Sequence, residues 1–94
     1  MPNPTKDELR KEIKPKVIHN ISILSGFDED RIKEESKLFE DLGMDDDLRG
    51  ALSPGFQRIA KAYNPVASIS KSACKKLSLV SEAIDLVVKG AQGA

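Results

Sequence analysis

Apolar residues recur along this chain at helical spacing. Leu9, Ile13, Val17, Ile21 and Leu24 follow one another at intervals of four and three, which draws a single stripe along a helix. Thr5 and Glu8 stand in capping-box register at its start, and Ser25-Gly26 is a stop signal at its end. Pro15 interrupts the stripe. Inside a helix it removes the hydrogen bond to the Lys11 carbonyl and clashes with it, a cost of roughly 3 kcal/mol. The pattern therefore predicts either one helix kinked at Pro15 or a second helix starting there. Further on, Ser53-Pro54 pairs a capping hydroxyl with proline at the first helical position. Phe56, Ile59, Ala60 and Tyr63 then fall at i, i+3, i+4 and i+7, and Asn64-Pro65 closes the segment. Ser70 is placed to cap a short helix carrying Ala73, Cys74 and Leu77. Ser78 is placed to cap a last one carrying Val80, Ala83, Ile84, Val87 and Val88, with Lys89 in its final turn and Gly90 as its stop.

No stretch of useful length alternates with period two, so the expectation is an all-α fold. Between Phe27 and Met44 there is no long period at all. Phe27, Ile32, Leu38, Phe39 and Leu42 are apolar islands in an acidic stretch, read as a long loop pinned to the core by those five side chains, with Asp28-Glu29-Asp30 as a helix-start signal before Ile32. The layout is a small bundle of three main helices plus one short helix, with a long loop after the first. A chain of 94 residues makes one domain. Its expected parts are a disordered start at 1–4, the bundle at 5–90 and a tail at 91–94.

Composition sharpens this. There is no Trp, and three Phe and one Tyr leave the core to aliphatic side chains. A chain of this size buries only about 60–65% of its unfolded surface, so that core is thin. Fifteen basic residues balance fifteen acidic ones, which gives no argument for a nucleic-acid partner. The charge is segregated: Asp28 to Asp47 carries ten acidic and three basic residues, and Leu48 to Ala94 seven basic and two acidic. The acidic middle is either a docking place for a basic partner or a solvated loop. A lone cysteine, Cys74, forms no intramolecular disulfide, and no apolar run reaches the ~20 residues of a membrane span. The expectation is a cytoplasmic monomer that does not enter a membrane.

The run Phe27-Asp28-Glu29-Asp30-Arg31-Ile32, continuing to Leu38-Phe39-Glu40-Asp41-Leu42-Gly43, resembles the acyl carrier protein family, whose members carry Glu-Asp-Leu-Gly at this place. Leu79-Val80-Ser81-Glu82-Ala83-Ile84-Asp85 is similar to the opening of that family's last helix, and Ile69 to Leu77 has the length and position of its short third helix. The resemblance covers about two-thirds of the chain. It implies a non-catalytic carrier, or carrier-like partner, in fatty-acid, lipid or polyketide-type synthesis, served by synthase- or ligase-type partners. It also implies an acyl chain held between helices, in a groove lined here by Phe56, Ile59, Val80 and Ile84.

The family attaches 4′-phosphopantetheine to a serine just after that glycine, in Gly-x-Asp-Ser-Leu. Here the stretch reads Gly43-Met44-Asp45-Asp46-Asp47-Leu48, and Asp46 stands at the serine position. A carboxylate has no hydroxyl to take the arm. Two readings stay open: the arm is lost and the domain works unmodified as an interaction module, or the attachment point has moved to Ser53 behind an insertion. The exposed faces of the later helices carry Arg58, Lys61, Lys71, Lys75 and Lys76, where the family is acidic, so the resemblance implies a partner with an acidic face.

Other constellations are weaker. Asp45-Asp46-Asp47 lacks the alternating ligands, central glycine and closing glutamate of a calcium loop, and reads as a solvated acidic loop. His19 has no nucleophile or second acid beside it in sequence. Cys74 and Met44 read as packing residues. There is no phosphate-binding loop, zinc spacing or dinucleotide turn, and the chain offers no basis for an enzyme.

Overall fold

In the computed structural model, which describes residues 5–93, the first helix starts on its capping box. Helix α1 (Lys6–Ser25) is capped by the Thr5 hydroxyl, which accepts from the Glu8 amide at 3.2 Å. Gly26 ends it at φ +81°, a left-handed turn that only glycine takes without strain, and its amide reaches the Ser22 carbonyl. Pro15 lies inside this one continuous helix rather than dividing it. The stripe read from the sequence faces inward: Leu9, Ile13, Val17 and Ile21 are buried, joined by Ile18.

The loop that follows is ordered by its own backbone. Glu29–Arg31 makes one 3₁₀ turn, α1 packing beside it. Residues 34–38 then lie against the start of the last helix, with Leu38 donating to Ser78, Val80 to Ser36 and Ser81 to Glu34. Lys37 and Leu79 thereby form an antiparallel bridge, and no strand is present among the described residues. Ile32, Leu38 and Leu42 are buried and Phe27 half-buried, as expected of pinning side chains. Phe39 is not: it stands 58% exposed. Leu38, its neighbour, takes the inward position in the turn that runs from Leu38 to Leu42, where the Gly43 amide donates to the Phe39 carbonyl.

A short helix, α2 (Asp46–Gly50), occupies the stretch expected to be loop. Its cap is Asp45, whose carboxylate accepts from the Leu48 amide at 3.0 Å. The backbone stays right-handed helical through Ala51 and Leu52 into α3 (Ser53–Lys61). Pro54 separates the two, because it has no amide to offer the Gly50 carbonyl. Helix α4 (Lys71–Lys75) is capped by Ser70, as its sequence indicates. Helix α5 (Val80–Gln92) starts without a Ser78 hydroxyl cap. Glu82 instead reaches back to the amides of Ser78 and Leu79, at 2.9 and 2.7 Å. It also runs past Gly90 to Gln92, with Gly93 as its stop and Ala91 buried, so Ala91 and Gln92 of the expected tail are helix. The start at 1–4 and the last residue of the tail lie outside the described residues.

These elements make an all-α bundle. Helix α1 packs on α5 and α3, α3 on α5, and α2 on α4. Phe56 is the largest side chain with no exposure, and Leu38, Met44, Leu52, Val80, Ile84 and Val87 are fully buried with it. No described helix is long and apolar enough to cross a membrane.

Candidate functional site

The aspartates Asp45, Asp46 and Asp47 fall at the junction of the long loop with α2. Gly43 turns the chain at φ +68°, and its amide donates to the Phe39 carbonyl while Met44 donates to Leu38. That turn buries Met44 and sets Asp45 as the cap, so Asp46 becomes the first residue of the helix. Arg49, one turn on, pairs with the Asp46 carboxylate and donates to the Leu77 carbonyl at 2.9 Å, tying α2 to the end of α4. Phe39, Asp45, Asp46, Asp47 and Arg49 together line an open depression of about 440 Å³. Its chemistry is an exposed aromatic ring beside three carboxylates, one of them already neutralised. Among the described residues, no group of three or more His, Cys, Asp or Glu is arranged to hold a metal ion.

Ser53 sits in a different setting. It heads α3 on backbone that is already helical at Leu52, so it is not the cap its sequence suggests. Its hydroxyl is half-buried and donates to the Ile69 carbonyl at 2.6 Å, joining α3 to the segment before α4. Gln57 completes that junction by accepting from the Ile69 amide. An arm on Ser53 requires that hydroxyl to leave Ile69. At the helix head the residue present is a carboxylate. Asp46 has no hydroxyl to take a phosphopantetheine arm, and the Ser53 hydroxyl is engaged by the Ile69 carbonyl.

The four residues expected to line a groove lie on facing parts of α3 and α5. Phe56, Val80 and Ile84 have no exposure and belong to the core; only Ile59 is half-buried. Side chains at helical spacing on facing helices interdigitate when nothing else fills the space. Cys74 is buried, and desolvation pushes its thiol up to about 11, as a packing residue should be. His19 is exposed, with Nδ1 3.1 Å from Glu29.

Two features escaped the sequence. Arg10 of α1 holds Glu34 of the loop at 2.5 Å and Asp85 of α5 at 3.0 Å, and Lys14 holds the other Glu34 oxygen at 2.9 Å. These hydrogen bonds lower the Glu34 pKa to about 2 and raise that of Arg10. A second cleft of about 360 Å³ lies between α1 and α3, lined by Pro15, Lys16, His19, Asn20, Glu29, Gly55, Arg58 and Ile59. Neither shows in sequence, because the partners lie far apart along the chain.

No protein-family model matches this chain, and neither a curated protein nor a solved structure matches it. The fold and the site therefore define its class: a small all-α bundle with a hydrogen-bonded acidic connector.

Proposed function

We propose that this chain is an acyl-carrier-like domain that works without a covalent arm. It is a non-catalytic partner that docks synthase- or ligase-type proteins of fatty-acid, lipid or polyketide-type synthesis. The observation that carries this reading is the residue at the head of the helix after Glu40-Asp41-Leu42-Gly43. That residue is Asp46, capped from Asp45 and paired with Arg49. The helix order, the long connector and the short helix before α5 support the kinship. The closed interior supports an interaction role over cargo carriage, since an acyl chain has to displace Phe56, Val80 or Ile84 to enter.

Intact mass after co-expression with a broad-specificity pantetheinyl transferase tests the reading. The expected result is an unmodified chain. A phosphopantetheine adduct that disappears in Ser53→Ala overturns the arm-free reading and makes Ser53 the attachment point.

A further inference from the structure

We propose that the cleft between α1 and α3 is a docking site for an acidic segment of a partner protein that carries an apolar side chain. This rests on the interaction-module reading above and names the chemistry of the partner.

Gly55 lets α3 approach α1 closely beside this cleft: the Asn20 side chain already fills the place a Cβ would take. To either side, the exposed Pro15 ring and the half-buried Ile59 make apolar walls. The rim is cationic. Lys16 is held over the Tyr63 ring, 4.9 Å from its centroid, with its ammonium 2.9 Å from the Tyr63 hydroxyl. Arg58 is exposed, and among the described residues no carboxylate lies within ion-pair distance of it. Two acids face this rim: Glu29, 3.1 Å from His19 Nδ1, and Glu12, which accepts from the Tyr63 hydroxyl at 3.3 Å.

The occupant follows from this arrangement. Two cations without carboxylate partners select an anion, and the walls select an apolar group beside it. The cleft is open to solvent. A small molecule would stay partly in water there, whereas a protein segment covers the opening and desolvates the charges.

The test uses the whole chain, ¹⁵N-labelled, titrated with an acetylated, amidated Glu-Leu-Glu-Phe-Glu peptide and with its Gln-Leu-Gln-Phe-Gln counterpart. The acidic peptide is expected to shift the amides of Lys16, His19, Asn20, Gly55 and Arg58 saturably. At least tenfold weaker binding is expected for the Gln peptide, and at least fivefold weaker binding for Arg58→Glu, whose remaining spectrum reports an intact fold. Added salt should weaken binding, because both rim cations are exposed. Shifts that are absent or scattered, or equal binding by either peptide or by Arg58→Glu, overturn the proposal. So does acetate saturating the same amides as tightly, which would make this a small-anion site. Sedimentation that shows a second copy seated through these residues also overturns it. None of these outcomes bears on the intact-mass test, so the two readings fail separately.

Discussion

Gly43 is the residue on which the candidate site turns. Its left-handed backbone places Met44 inside and Asp45 outside, and nothing lies within 4 Å of where a Cβ would be. Gly43→Ala therefore meets only backbone strain, and a loss of about 1–2 kcal/mol is expected in chemical denaturation. Ser53→Ala removes the bond to Ile69 and should cost about 1 kcal/mol. That loss, in a chain that carries no phosphopantetheine adduct, separates a structural hydroxyl from a modified one. Cys74 is expected to resist alkylation in the folded state and to react only on unfolding, which a thiol-labelling time course reads directly. At this scale the sequence was legible wherever a residue acts on its own neighbours. Thr5, Ser70 and Gly26 cap what their positions say they cap. An aromatic side chain reads as core wherever it falls, but Phe39 stands outside: the turn from Leu38 to Leu42 decides which of the two neighbours points inward.

Among the elements, α1 and α5 were readable from their stripes, since an amphipathic period survives any tertiary arrangement. The α2 helix was hidden, because Asp46 to Gly50 offers one half-buried apolar residue, Leu48, and a helix this short shows no period. Its cue was the Asp45 cap, obscured by two more aspartates. The close of α5 was misplaced because Gly90 is a common stop, yet here it packs near Ala60 and Ile69 inside the helix, and Gly93 takes the positive φ. The loop is held to α1 and α5 through Glu34, a partnership that no local pattern encodes. Folding lowers the Glu34 pKa, so the unfolded chain binds that proton more readily and acid favours unfolding. Its contribution is fully present above about pH 5 and is lost as pH falls toward 2. Denaturation midpoints measured across that window should fall steeply for the native chain and less steeply for Glu34→Gln.

For the whole molecule, a radius of gyration of 12.4 Å matches the ~12 Å of a folded chain this long. Its aliphatic core closes around one buried ring, and Phe56→Ala should cost about 3–5 kcal/mol, a large share of the ~5–15 kcal/mol that holds a domain together. Three of the residues named from sequence as groove-lining, Phe56, Val80 and Ile84, are fully buried in that core: spacing tells which faces are apolar but not whether a space is left between them. The proposed kinship with carrier domains makes the head of the helix after Gly43 the attachment position, and this is where the proposal is most exposed. Asp46→Ser restores a hydroxyl at that place while leaving the Asp45 cap intact. Treated with coenzyme A and a broad-specificity pantetheinyl transferase, then weighed intact, this variant is expected to gain one phosphopantetheine on residue 46 while the native chain gains none. A folded Asp46→Ser variant that stays unmodified would contradict the account.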